Sequence, residues 1–147
     1  MSTPTASVII RTYNEGKYIE PLLKSILSQT VQNIEIILVD SESTDDTVQI
    51  ASKYCDNIIH IKKSDFTFGY SLNKGIEQAM ADYLILVSAH TLPCHNNWVE
   101  KLLNPLNDEA VRFFPPSTNI ILLFLYLLSF FRYCFETTII ILLNNLD

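Results

Sequence analysis

Residues 34–47 read Ile34-Glu35-Ile36-Ile37-Leu38-Val39-Asp40-Ser41-Glu42-Ser43-Thr44-Asp45-Asp46-Thr47. An apolar run that stops abruptly on an aspartate is the trace left by a strand buried on both faces of a sheet. The polar stretch after it predicts a helix start. Ser43 or Thr44 can cap that helix, and Asp45 and Asp46 would then lie in its first turn, favourably placed against the helix dipole. Val48, Ala51 and Tyr54 would form its buried side. One buried strand feeding one amphipathic helix is half of a βα repeat, and the rest of the chain is read from there.

On the N-terminal side, Ser7–Ile10 is a short β-rich run. Tyr18–Ser28 follows with Ile19, Leu22, Leu23, Ile26 and Leu27 on one helical face. On the C-terminal side, Asn57–Ile61 reads as a third strand and Ser71–Met80 as a third helix, with Leu72, Ile76, Ala79 and Met80 inward. Tyr83–Val87 is a fourth strand. Asn97–Leu103 is a fourth helix carrying Trp98, Val99, Leu102 and Leu103. Strands and helices alternating with crossovers of this length predict an α/β domain with a mainly parallel sheet flanked by helices.

Bulk properties narrow the function. The 147 residues suffice for one domain with one moderate core. Ten Lys and Arg against sixteen Asp and Glu give a net charge of −6, which argues against nucleic acid as a partner, since phosphate binding needs clustered Lys and Arg. Cys55, Cys94 and Cys134 are widely spaced with no CxxC pairing, so they are expected to form neither a disulfide framework nor a zinc site. The first residues, Met-Ser-Thr-Pro-Thr-Ala-Ser, lack a basic region followed by an apolar stretch. No signal peptide and a cytoplasmic location are therefore expected.

In parallel sheets ligands bind outside the carboxyl ends of the strands. The residues there are Arg11-Thr12-Tyr13-Asn14-Glu15, Asp40-Ser41-Glu42-Ser43, Lys62-Lys63-Ser64-Asp65 and Ser88-Ala89-His90-Thr91. All four sets are polar or ionisable after apolar strands. Neither GxGxxG nor GxxxxGK[ST] occurs, which weighs against dinucleotide dehydrogenases and P-loop enzymes. A phosphate site here would use a metal, a basic side chain or a helix N-terminus instead.

Five stretches carry a specific resemblance: Ser7–Glu15; Leu22-Leu23 with Ser25-Ile26 and Gln29; Ile37 to Thr47; Phe68-Gly69 with Leu72-Asn73 and Gly75; and Tyr83–His90. In this order and spacing the chain resembles family 2 glycosyltransferases over roughly its first three quarters. The resemblance implies a GT-A (Rossmann-like) fold and inverting transfer of a sugar from a nucleotide-diphosphate sugar, with UDP or dTDP as the nucleotide, in cell-envelope polysaccharide synthesis. It places Thr12, Tyr13 and Glu15 along the nucleoside, Tyr13 able to stack on a base. Asp40 would accept the base's ring N–H, with Ser43 beside it in the donor site. Asp40 read without the resemblance is a strand-end cap on its own turn, and Glu15 a first-turn helix acid. Gly75 reads as a close helix–sheet contact.

The chain departs from the family at two places. Family members usually carry Pro where this chain has Arg11, and Asp-x-Asp where it has Ser88-Ala89-His90. Ser88 can still bond a sugar hydroxyl. His90 can ligate Mn²⁺ through a neutral ring nitrogen but is a poor ligand for Mg²⁺. Alternatively, a protonated His90 or Arg11 balances the phosphates directly. No general base is identified among Asp108, Glu109, Glu136 and Asp147, and neither the sugar nor the acceptor can be named from these residues.

The resemblance stops near Val111, which divides the chain into a donor-binding domain at 1–111 and an apolar tail at 112–147, so that the fold is expected to be incomplete at its C-terminal side. No strand alternation is visible in the tail. Three accounts are open: a membrane-associating segment over Ile120–Leu143, a foreign reading frame entered near Val111, or an extension packed on the sheet. A non-catalytic nucleotide-binding remnant and a membrane-attached partner module are the alternatives to an enzyme.

Overall fold

The computed structural model describes residues 3–104 and the backbone of Ile140–Leu143. Strands β1 (Ala6–Thr12), β2 (Ile34–Asp40), β3 (Asn57–His60), β4 (Tyr83–Ser88) and β5 (Ile140–Leu143) form one sheet in the order β3-β2-β1-β4-β5. The first four run parallel, and β5 is antiparallel to β4. Helices α1 (Gly16–Leu27), α2 (Thr47–Ala51), α3 (Phe68–Ile76) and α4 (Trp98–Leu103) lie in the connections. Every strand and helix expected before residue 104 is present. The strand at Ile140–Leu143 was not foreseen, because four consecutive aliphatic residues carry no period-two signal.

Apolar burial explains why the strands are greasy on both sides. Val8, Ile10, Leu38, Ile85 and Val87 pack under α1, α2 and α4, against Ile19, Leu22, Leu23, Ile26, Ala51, Val99 and Leu102. Ile9, Ile37, Val39 and Leu86 face the other way, beneath Leu72, Ile76 and Ala79 on and just beyond α3. Alternating side chains of the central strands are thus covered on each face, one by three helices and the other by one.

Gly75 makes the single-helix face close-fitting. A Cβ built there would lie 2.3 Å from Ile9 Cγ2 and 3.2 Å from Val39 Cγ2. The expected close helix–sheet contact is therefore present. Two expectations about helix faces are corrected. Leu27 is exposed because it is the last residue of α1. Met80 is exposed because α3 ends at Ile76, a turn before it; its N–H donates to Glu35 Oε2 instead.

The start of α2 is also corrected. It begins at Thr47, so Asp45 and Asp46 precede it rather than filling its first turn. Ser43 and Thr44 do not cap it, because their polar groups bond Asp40 and Asn14. Asp45 Oδ1 accepts from the Thr47 N–H at 3.0 Å in their place. Cys55 is buried and free, whereas Cys94 is disulfide-bonded, a pairing that the cysteine spacing did not predict.

A buried amide ties the two ends of the three-helix face. Gln29 is 2 % exposed; its Nε2 donates to the carbonyls of Ser25 and His95, and its Oε1 accepts from Val99 N–H. The segment entering α4 is held against the end of α1 by these bonds.

Candidate functional site

The carboxyl ends of β1, β2, β3 and β4 are in register. Thr12 is opposite Asp40, Asp40 opposite His60, and Arg11 opposite Ser88. Strand β1 leads on one side to β2 and β3, while its other neighbour, β4, comes later in the chain. The direction of winding therefore reverses between β1 and β4, and a crevice at such a reversal is where open α/β sheets bind ligands. The predicted site residues line this edge in two groups.

The first group surrounds Asp40, which is 1 % exposed. Its Oδ1 accepts from Ser43 Oγ at 2.5 Å, and its Oδ2 accepts from Ser43 N–H at 3.1 Å. His60 Nδ1 lies 3.5 Å from Oδ2, and the His60 side chain is mostly exposed. Asp40 does cap its own turn, as the plain reading of the sequence held. Its carboxylate has about four acceptor positions, so the turn does not exhaust them. Tyr13 is exposed beside this group. Lys63 Nζ donates to its hydroxyl at 2.6 Å and sits 4.3 Å from the ring centre. The Lys63 N–H in turn donates to Glu42 Oε2.

The loops after β1 and β2 are stitched together. Asn14 holds a left-handed backbone with φ 53°, a conformation asparagine tolerates better than most residues. Its N–H donates to Ser43 Oγ, and its Oδ1 accepts from Thr44 N–H. The Glu15 N–H donates to Thr47 Oγ1, and the Gly16 N–H to Asp45 Oδ2. These are free amides at the start of α1, satisfied from the neighbouring loop rather than by a side chain of Glu15. Asp45 is held below the ordinary aspartate pKa, chiefly by the Thr47 hydroxyl. Desolvation partly opposes this, and the N–H groups of Gly16 and Thr47 add to it.

The second group lies between β1 and β4. His90 Nδ1 is 3.2 Å from Ser88 Oγ and 3.4 Å from Glu15 Oε1. Glu15 is the N-cap residue of α1, not a first-turn acid, and its side chain turns to the histidine. Arg11 is half-buried, with its guanidinium carbon 4.2 Å from the centre of the Phe68 ring. Thr12 Oγ1 is buried and has no hydrogen-bond partner among the described residues. Among these residues no three His, Cys, Asp or Glu side chains gather as a metal cage.

Register and hydrogen bonds thus bring Thr12, Asp40 and Ser43 together, with Tyr13 next in the chain and held by Lys63, while Glu15, Ser88 and His90 form a second set with Arg11 opposite Ser88. Sequence reasoning missed His60 and Phe68 as members. His60 stands in the β2–β3 register, which composition does not reveal. Phe68 lies at the start of α3, where a helix start gave no reason to expect a ring under Arg11.

A parallel sheet with polar side chains gathered at the carboxyl edge of a winding reversal defines a ligand-binding α/β domain. The family model of "Glycosyl transferase family 2" matches residues 7–121, and the chain belongs to that family. It is 35 % identical over 111 residues to the "O-antigen chain rhamnosyltransferase WbaN" of Salmonella anatum, a match covering 74 % of this chain and 35 % of that protein. Among solved structures, the mannosyltransferase PcManGT of Pyrobaculum calidifontis, in complex with GDP-Man and Mn²⁺, superposes with a TM-score of 0.65 at 23 % identity. That match covers 74 % of this chain and 34 % of the other. S. aureus TarS 1-349 in complex with UDP gives a TM-score of 0.59 at 27 % identity, over 68 % of this chain and 31 % of that one. The GT-A fold is thereby shown. The chain spans about a third of the length of the relatives it matches.

Proposed function

We propose that this chain supplies the donor half of a glycosyltransferase: it binds a nucleotide-diphosphate sugar for inverting transfer to an acceptor hydroxyl. The observation that carries this reading is the buried Asp40 carboxylate, set at the carboxyl end of β2 beside an exposed tyrosine. A carboxylate there accepts a base N–H as a charge-assisted bond. His60 covers Oδ2, and its exposed ring is the group a base would displace. Tyr13 offers an aromatic face for stacking, with Thr12 and Ser43 alongside for the nucleoside. UDP bound to a TarS structure supports a uridine or thymidine nucleotide as the donor's leaving group.

Glu15, Ser88 and His90 face the sugar-diphosphate end. The imidazole and carboxylate, already 3.4 Å apart, fit two ligand positions of Mn²⁺, with the donor's phosphate oxygens supplying others. Glu15 and His90 would hold such an ion, whose charge would polarise the departing diphosphate. The donor set is a poor match for Mg²⁺, which prefers oxygens throughout. Synthesis of a cell-envelope polysaccharide is the biological setting that the O-antigen chain rhamnosyltransferase relative supports. Among the described residues no helix is long and apolar enough to cross a membrane.

A second reading, donor binding without turnover, draws on the carboxylates themselves. Asp40 is tied by Ser43 and His60, Glu15 by His90, and Glu42 accepts from Lys63, so none of the three is disposed as the base for an acceptor hydroxyl. The two readings separate in one experiment. Titration calorimetry with UDP, dTDP and GDP should show a uridine or thymidine nucleotide binding best. Asp40→Asn should weaken that binding by roughly ten- to a hundredfold, the effect of losing a charged hydrogen bond. Equal affinity of wild type and Asp40→Asn would reject the donor-site assignment. Release of free sugar from the donor separates an enzyme from a binding module.

A further inference from the structure

Arg11 has no anionic partner among the described residues. It ends the face of β1 that carries Ile9, the face beneath α3, and its register neighbours are Val39 on β2 and Ser88 on β4. Side chains at registered positions of parallel strands share a face, so Arg11 and Ser88 stand together at the winding reversal. The guanidinium is partly stripped of water, and burial alone lowers its pKa from the usual arginine value. Its one described ring contact is Phe68, whose centroid lies 4.2 Å from the guanidinium carbon. Among the described residues no carboxylate or carbonyl accepts from its five N–H donors. A half-buried cation that rests on a ring at the winding reversal, with no anionic acceptor among the described residues, is placed to receive an anionic ligand. Glu15, a carboxylate of the same edge, is engaged with His90.

We propose that Arg11 binds the diphosphate of the donor directly, so that this site holds a phosphoanion without requiring a metal ion. The inference rests on the donor-site reading for the identity of the ligand, but the anion site itself does not. A guanidinium fork matches two phosphate oxygens at once, which gives the diphosphate a fixed orientation between β1 and β4. Ser88, on the same face, would then meet the sugar or ribose hydroxyl next to it.

Inorganic pyrophosphate is the probe that separates the two ideas. Titrated into the full chain in EDTA, it should bind the wild type. Arg11→Gln should weaken that binding by about tenfold or more, while Arg11→Lys should fall between. Should Arg11→Gln fail to fold, as judged by circular dichroism, Arg11→Lys against wild type carries the same comparison. UDP in EDTA should lose affinity in the Arg11 variants, whereas uridine should not. Pyrophosphate binding that appears only with added Mn²⁺, or that is equal in wild type and both variants, overturns the proposal. UDP, dTDP and GDP binding no more tightly than pyrophosphate would sink the donor reading and leave the anion site standing.

Discussion

At the scale of single residues, the carboxyl edge is built from short side chains that tie the segments following β1 and β2 to each other. Thr47 shows this best: fully buried, its hydroxyl accepts from Glu15 N–H at 2.8 Å and donates to Asp45 Oδ1 at 2.5 Å. Thr47→Val keeps the shape and removes both bonds, leaving an amide at the start of α1 unsatisfied. The expected cost is about 1–3 kcal/mol, read as a lower urea midpoint with an unchanged slope. An unchanged midpoint would show that water replaces the hydroxyl. Such pairings explain what the sequence could and could not convey. Asp40 was legible as an edge residue because it interrupts an apolar run. Its contact with His60 was not, because it depends on how β2 and β3 align, and nothing local to either strand records that register.

At the scale of elements, the strands were more legible than the helix ends. A strand covered on both faces must be apolar throughout, so Ile36–Val39 and Leu84–Val87 announce themselves. Helix ends are set by where the chain finds other partners. Met80 donates to Glu35, and α3 has stopped before it, so its apolar side chain gave a false inward signal. The closeness of α3 to the sheet yields a prediction of its own. Gly75→Ala would gain about 1 kcal/mol of helix propensity. Against that, its Cβ would meet Ile9 Cγ2 at 2.3 Å, an overpacking that costs roughly 1–3 kcal/mol. The clash should win, lowering the melting temperature, and because Ile9 lies two residues before Arg11 the same variant should loosen the β1 edge. A higher melting temperature would mean that α3 can slide away from the sheet at little cost.

At the scale of the whole molecule, β5 is the last strand of the sheet among the described residues, and its four residues shield the backbone edge of β4 from Tyr83 to Leu86. Removing residues 112–147 would leave that edge unpaired, and an open strand edge invites pairing between chains. The shortened chain is expected to elute as oligomers in size-exclusion chromatography, at concentrations where the full chain does not. The opposite ranking, with the shortened chain the better behaved, would mean that the 112–147 segment brings its own tendency to associate and that β5 protects nothing. Beyond this, the place of β1 bears on how the protein comes into being. Within this chain it precedes both of its neighbours, yet it lies at the centre of the sheet, and Ser7 must wait for Leu84 before its second flank is closed. A central apolar strand therefore stays half-paired while the chain between β1 and β4 is made, and slower synthesis over that stretch is expected to lower the yield of native protein.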